Sequence, residues 1–472
     1  MRAKHIRPGP GAPPRAVGRG GFDVTVGTLW RALRKESWAF LLLLFYVAWE
    51  YWRPQAIWPV IDVVPWGTVT LLAAMAAFFL GGERGRSFHP MDGLFILFCI
   101  WVFGTIPFAF DPEEAAGQWA VMGTWVLMYF LVTNVVVTPR RMLLFWVGLM
   151  VVFLKMSQHG ARTWALRGFS FANWGVSGSP VWFQNSGEFA MGMVIFTAMS
   201  WCALVAVRPY VSTWFFRIGV ALLPTTALMS VLASSSRGGQ LAAVVVVAVL
   251  VAQSRLRFRA VALAAVVLTI GWQILPPEQK ERFAVMGSED DATGQARLTH
   301  WEAALETVQD RPLFGVGYEN WLTYYRTTNP IYVQEIHNTF LEVPAELGIP
   351  GALMFFALVA GSFVTNARTR RRTRTIRGHW GRILNGMARG LDVAMVGLLV
   401  ASVFMSVLFW PVYWMGFALA VALSETSRRL TTAHPVPPHA PHPGRLRVRS
   451  APGARPVPAL TRTSEVPIPR PA

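Results

Sequence analysis

His337-Asn338-Thr339-Phe340-Leu341-Glu342-Val343-Pro344-Ala345-Glu346-Leu347-Gly348-Ile349-Pro350-Gly351 runs directly into the apolar stretch Ala352-Leu353-Met354-Phe355-Phe356-Ala357-Leu358-Val359. A histidine, ten residues and then Gly-x-x-Gly at the entrance to an apolar run is more than membrane anchoring requires. A chain that only had to cross a bilayer would use a short polar turn here. The stretch also closes the longest segment outside the apolar runs that is rich in acids, aromatics and glycines. Chemistry is therefore expected in this loop, and the rest of the chain is expected to be its scaffold.

Composition sets the class of that scaffold. Of 472 residues, 53% are hydrophobic and only 14% charged, against about 25% charged in soluble domains. Apolar runs long enough for a hydrocarbon core of about 30 Å lie near 37–52, 60–80, 91–110, 117–137, 142–158, 187–207, 214–233, 239–253, 258–275, 350–366, 391–409 and 411–424. The expected fold is an all-α integral membrane protein with about 12 transmembrane helices and a large, partly helical outer loop. Its expected divisions are a basic segment 1–36, spans 1–9 over 37–275, the loop 276–349, spans 10–12 over 350–424 with an Arg-rich connection 367–390, and a Pro/Arg-rich tail 425–472 expected to be disordered. Cys99 and Cys202 fall inside apolar runs, which suits buried thiols better than a disulfide framework or a Cys-based metal site.

Charge orients the ladder. Residues 1–36 carry a net +6, 367–390 a net +8 and the tail from Ser424 a net +6, together more than the +18 of the whole chain. Arg84 and Arg86, Arg140 and Arg141, Arg208 and Arg217, and Arg255, Arg257 and Arg259 occupy alternate short connections. With an even number of spans all of these share one side with both termini, and the positive-inside rule makes that side cytoplasmic. A net charge of this size is also what would attract a nucleic-acid partner. Placed on the ladder, it serves insertion and contact with anionic membrane lipids instead.

Three segments on the other side carry polar groups. Gln158–Glu188 holds Arg162 and ends in Gln184-Asn185-Ser186-Gly187-Glu188. Ser234-Ser235-Ser236-Arg237-Gly238-Gly239 sets Arg237 at a membrane boundary among small neighbours. In the long loop, Arg297 and Trp301 are expected to share a helix face with Leu305 and Val308, before Arg311-Pro312 stops the helix. Each has a plain alternative: an edge arginine can snorkel, Trp301 can belong to an aromatic belt, and Gly315-Val316-Gly317 reads as a turn. Convergence favours chemistry, because Arg237, Arg297 and His337 come from separate segments yet fall on one face. Two guanidiniums and an imidazole suit a diphosphate. Glu342 and Glu346 follow His337 by five and nine residues, and Glu342 is a candidate to orient its ring or bind a sugar hydroxyl.

Ser236-Arg237-Gly238-Gly239, Arg297-Leu298-Thr299-His300-Trp301, Pro312-Leu313-Phe314-Gly315-Val316-Gly317, and His337-Asn338 with Leu341 and Glu346-Leu347-Gly348-Ile349-Pro350-Gly351 resemble the O-antigen ligase and polymerase superfamily over roughly residues 230–365. The resemblance implies a GT-C-like, metal-independent glycosyltransferase of the bacterial inner membrane, with no cofactor. Its implied donor is a glycan on undecaprenyl diphosphate, used at the periplasmic face. The acceptor would be a lipid A core for a ligase, another lipid-linked glycan for a polymerase, or a protein for an oligosaccharyltransferase, with polysaccharide-assembly proteins as further partners. The ligase pattern has a leucine four residues after the loop arginine, where this chain has Trp301.

On this resemblance Arg237 and Arg297 hold the diphosphate, and His337 either shares it or acts as general base. Arg162, Glu188, Trp301, Asn338, Glu342 and Glu346 are expected to bind substrate, and Gly315, Gly317, Gly348 and Gly351 to shape the backbone. A transporter or flippase would also have about twelve spans, but it should carry internal repeats and mid-membrane polar groups. A non-catalytic assembly factor would tolerate loss of the three basic residues.

Overall fold

The computed structural model describes residues 24–170, 175–211, 213–254, 292–330 and 333–433, with isolated positions between 258 and 280. The expected span 258–275, the arginines at 255, 257 and 259, most of the basic segment 1–36 and the tail from 434 lie outside the described residues. Among those described, all regular structure is helical. The helices are α1 Val26–Leu33, α2 Trp38–Trp52, α3 Pro54–Ile57, α4 Trp66–Leu80, α5 Pro90–Thr105, α6 Pro112–Val135, α7 Pro139–Leu166, α8 Ser186–Val207, α9 Trp214–Ala233, α10 Arg237–Ala252, α11 Ala292–Asp310, α12 Trp321–Thr328, α13 Thr339–Thr373, α14 His379–Ser402 and α15 Pro411–Ala433.

The starts of these helices follow from local chemistry. His89, Asp111, Thr138 and Asn185 each accept a backbone N–H of the first turn, and Pro90, Pro112 and Pro139 occupy the first helical position, where no N–H is needed. Between such ends the helices are apolar on all sides, as a bilayer or a protein core requires. Seven described helices are long and apolar enough to cross a membrane: Pro90–Phe108, Pro112–Val135, Pro139–Leu166, Ser186–Tyr210, Trp214–Ala233, Thr339–Thr373 and His379–Ser402, with Trp66–Leu80 and Arg237–Ala252 as shorter apolar helices. The chain is an all-α polytopic membrane protein.

Helix ends sort into two sets. At one end Glu36, just before α2, accepts from Arg140 and Arg141 of α7 at 2.6 and 2.7 Å, and Arg141 reaches Glu83 beyond α4 at 2.6 Å. Arg86 pairs with Asp92 of α5, which also accepts the Tyr129 hydroxyl of α6 at 2.9 Å. Arg370 of α13 pairs with Asp392 of α14, and Arg372 donates to the Ser424 carbonyl and Ser427 hydroxyl of α15 at 3.1 Å. Every described arginine of the expected basic loops belongs to this end. The starts of α6, α8, α10, α13 and α15 and the ends of α5, α9 and α14 form the other end, where α11 and α12 also lie.

Several boundaries differ from expectation: α4 begins at Trp66 rather than 60, α7 runs on to Leu166 rather than 158, α13 and α14 take up much of the connection 367–390, and α15 continues to Ala433, into the tail expected to be disordered from 425. Two others bear on the site. The span expected at 350–366 is part of α13, which begins at Thr339 and is broken at Gly348. The span expected at 391–409 ends at Ser402, and Val403–Trp410 is a loop. Val407 and Leu408 are fully buried there, so the loop is apolar because protein encloses it. Hydropathy does not separate an enclosed loop from a lipid-facing helix. At the core, α14 lies against α8 through small residues: an added Cβ on Gly386 would stand 2.5 Å from Ala206, and on Gly397 2.7 Å from Val194. Close approach of this kind is how apolar helices associate in lipid.

Candidate functional site

The break in α13 begins the site. Pro350 has no N–H, so the Glu346 carbonyl loses its helical partner. It accepts the Gly317 N–H at 2.9 Å instead. Ile349 gives its N–H to the Pro312 carbonyl at 2.8 Å, and the Ala345 carbonyl takes the Val316 N–H at 2.8 Å. The Leu347 carbonyl takes the Trp101 indole N–H at 2.9 Å. The turn 312–317 is thus laced backbone to backbone into the break. Glycine is required where the two chains meet: Gly348 has φ +68, and a Cβ there would sit 2.0 Å from the Leu313 carbonyl oxygen. A Cβ on Gly315 would sit 2.5 Å from the Ala345 oxygen, on Gly317 2.2 Å from the Ala109 Cβ, and on Gly351 3.0 Å from the Trp101 indole nitrogen.

Above this lock α11 and α12 clasp the irregular segment 333–338. The Trp321 and Trp301 indoles donate to the carbonyls of Gln334 and Ile336 at 3.1 and 3.0 Å. Ile336 is buried with Ala304, Trp321, Tyr325 and Ala345. The buried stripe of α11 is His300, Ala304 and Thr307. Arg297, Trp301, Leu305 and Val308 lie on one helix, as expected; Trp301 and Val308 pack beside this stripe on the same cluster, while Leu305 is exposed. As expected, α11 ends at Asp310, before Arg311-Pro312.

The segments that carry the three basic residues approach the loop 403–410. His337, at φ +55, donates its backbone N–H to the Ser406 hydroxyl at 3.1 Å. The Arg297 guanidinium lies 6.0 Å from the centre of the Phe404 ring. Gly238, next to Arg237, packs so closely on Phe404 that an added Cβ would stand 2.8 Å away. The loop is itself held by α13: the Thr339 hydroxyl donates to the Met405 carbonyl at 2.7 Å and accepts the Val407 N–H at 3.0 Å, and Glu342 accepts the Leu408 N–H at 3.3 Å. Met405 also reaches the start of α8, 3.2 Å from where a Gly187 Cβ would be.

Other expected substrate-binding residues are committed to the fold in this state. Asn338 caps α13, accepting the Phe340 N–H at 3.0 Å. Glu346 accepts the N–H groups of Glu319 and Trp321 at 3.0 and 3.2 Å and so anchors the start of α12. Glu188 closes the cap of its own helix on the Asn185 N–H at 3.2 Å. Trp301 holds the Ile336 carbonyl. Arg162 is exposed on α7, and no contact among the described residues ties it to this group.

Electrostatically the site has two flanks. Burial, then the charges of Arg297 and His300, pull the His337 imidazole down to about 4, so it is neutral near pH 7. On the other flank burial raises the Glu335 carboxyl, and burial with Glu335 and Glu114 pushes Glu319 up to about 7. A cationic and hydrogen-bonding flank suits an anion, and a carboxylate flank suits hydroxyl donors. Among the described residues no group of three or more His, Cys, Asp and Glu is arranged to hold a metal ion.

Phe404, Met405, Ser406, Glu335 and Glu319 are the site residues that sequence reasoning missed. The first three sit inside what reads as a span. Pro411, a proline at a helix start, is the signal that a turn precedes it.

Residues 219–356 match the O-antigen ligase family model. The match covers less than a third of the chain and supports membership of the O-antigen ligase superfamily, a family of glycosyltransferase-like enzymes. It includes Arg237, Arg297, His337 and the glycine lock; the Phe404–Ser406 loop lies beyond it. No curated protein matches the chain significantly.

Proposed function

We propose, taking membership of the O-antigen ligase superfamily as the premise, that this chain moves a glycan from undecaprenyl diphosphate to an acceptor hydroxyl at the outer face of a bacterial inner membrane. The observation that supports the proposal is that the segments carrying Arg237, Arg297 and His337, far apart in sequence, all approach the loop 403–410. The end rich in paired arginines is cytoplasmic by the positive-inside rule, which leaves the site periplasmic and both termini cytoplasmic.

In this mechanism Arg237 and Arg297 bind the donor diphosphate and stabilise the negative charge that grows on it as the bond from the anomeric carbon to the phosphate oxygen breaks. His337, neutral before the donor arrives, either joins them on the diphosphate or receives the acceptor proton. The backbone lock at Gly348 and the clasp of Trp301 and Trp321 keep His337 in register with the arginines, so positioning is supplied by the fold rather than by the substrate.

We assign the acceptor as a lipid A core or a related glycan, which makes the enzyme a ligase; joining of lipid-linked repeats, as a polymerase does, is the alternative. Glycan analysis of a deletion strain separates the two. Long chains accumulating on undecaprenyl diphosphate identify a ligase, and single lipid-linked repeats a polymerase. In either case restoration of the normal product by Arg297→Ala overturns the assignment of the site.

A further inference from the structure

We infer that Glu335 is a catalytic residue of this site, the base that takes the proton of the acceptor hydroxyl, and that His337 belongs to the diphosphate. The inference rests on the transfer reaction proposed above and assigns a role within it.

Backbone contacts fix the position of Glu335. The carbonyls on either side of it, at Gln334 and Ile336, are both held by indoles. Ile336 is buried in the apolar cluster of α11 and α12, whereas Glu335 is only half-buried. Its carboxylate lies within electrostatic reach of Glu188, Glu319, Glu342 and Glu346.

The neighbouring carboxylates are already used. Glu188 accepts from Asn185, Glu342 from Leu408, and Glu346 from Glu319 and Trp321. Among the described residues no hydrogen bond or ion pair engages the carboxylate of Glu335 or of Glu319. Of these two, Glu335 adjoins the reacting centre, two residues before His337, whose N–H is fixed on Ser406. Glu319 stands beside the Glu346 anchor instead.

The basicities agree with this division. Burial raises the Glu335 carboxyl and so strengthens its ionised form as a base, whereas the imidazole of His337 is held to about 4 by burial, Arg297 and His300. The step balances as follows. The acceptor oxygen bonds to the anomeric carbon while its proton passes to the Glu335 carboxylate. The bond from that carbon to the diphosphate oxygen breaks, and its electron pair leaves with undecaprenyl diphosphate beside Arg237 and Arg297. The proton on Glu335 then returns to water.

An acceptor that needs no deprotonation tests the role. The full chain in nanodiscs is given a fluorescently tagged undecaprenyl-diphosphate oligosaccharide as donor. Either untagged lipid-linked oligosaccharide or lipid A core is offered as acceptor, with sodium azide as the bypass nucleophile. For Glu335→Gln the expected result is a loss of about 10²-fold or more with the sugar acceptors, donor KM within about threefold of wild type, and glycosyl azide formed at the wild-type rate. Glu335→Asp, which keeps a shortened base, is expected to recover at least tenfold over the amide. Loss of azide transfer together with sugar transfer overturns the role, as does a turnover of the amide variant equal to wild type, or the bypass behaviour appearing in Glu319→Gln. If the wild type rejects azide, the comparison of amide and aspartate decides: an aspartate as inactive as the amide, or an amide with a greatly raised donor KM, overturns it. A wild type that transfers to none of these acceptors refutes the function itself, a distinct outcome.

Discussion

Gly348→Ala attacks the point where two backbones cross. At φ +68 and ψ 177 the residue occupies a region essentially restricted to glycine, at a cost to alanine of about 1–3 kcal/mol. The new methyl would also stand 2.0 Å from the Leu313 carbonyl oxygen, which is backbone and cannot rotate away. Relief requires the turn 312–317 to lift, and that opens the three bonds Ile349 to Pro312, Val316 to Ala345 and Gly317 to Glu346. At about 1 kcal/mol each, they bring the local cost to about 4 kcal/mol, roughly a thousandfold in the opening equilibrium. Hydrogen exchange by mass spectrometry on the full chain in nanodiscs reads this directly. Peptides covering 312–318 and 345–351 should exchange about 10³-fold faster, those of α7 and α8 should be unchanged, and transfer should fall with the loss of His337 register. Wild-type protection in both peptides would refute the description of the break as a backbone lock.

Arg297→Lys keeps the charge but loses the guanidinium fork. Without charge-assisted bonds of about 1.5–3 kcal/mol, transfer should drop roughly 10- to 150-fold while the variant still reaches the membrane, as measured by turnover per mole of inserted protein. His337 has a pKa near 4 in the free protein, and a bound diphosphate dianion would raise it. Below the raised value and above 4 the donor complex should therefore take up a proton. Calorimetry at pH 6 in buffers of different ionisation enthalpy should show that uptake in the wild type and not in His337→Gln. Gly238→Val sets a side chain 2.8 Å from Phe404 and should depress turnover at least tenfold. Phe404→Ala, which vacates that space, should restore part of it if the clash is the cause.

Much of the scaffold was legible because helix starts announce themselves. The expected span 214–233 coincides with α9, and 187–207 and 239–253 match α8 and α10 to within two residues at each end. The charge ladder separates the two ends of the described bundle, since arginine pairs such as Arg140 and Arg141 do meet the carboxylates of neighbouring helix ends. Other features depend on tertiary packing that periodicity does not encode. The loop 403–410 is apolar because α13 covers it. The start of α13 was hidden by Pro344, Gly348 and Pro350, which read as loop residues; at Gly348 and Pro350 the turn 312–317 supplies the missing partners. Arg237, Arg297 and His337 were legible as candidates through their shared side. Glu335 was not, since a lone acid in a loop gains meaning only once Ile336 is seen to face the core.

Transfer by the purified full chain is the most direct test of the central claim that Arg237, Arg297 and His337 form one donor site. Wild type in nanodiscs should move a tagged glycan from undecaprenyl diphosphate to a sugar acceptor, and Arg237→Ala, Arg297→Ala and His337→Ala should each fall by at least 10²-fold, with correct insertion. Transfer at wild-type rates by any of the three would contradict the account.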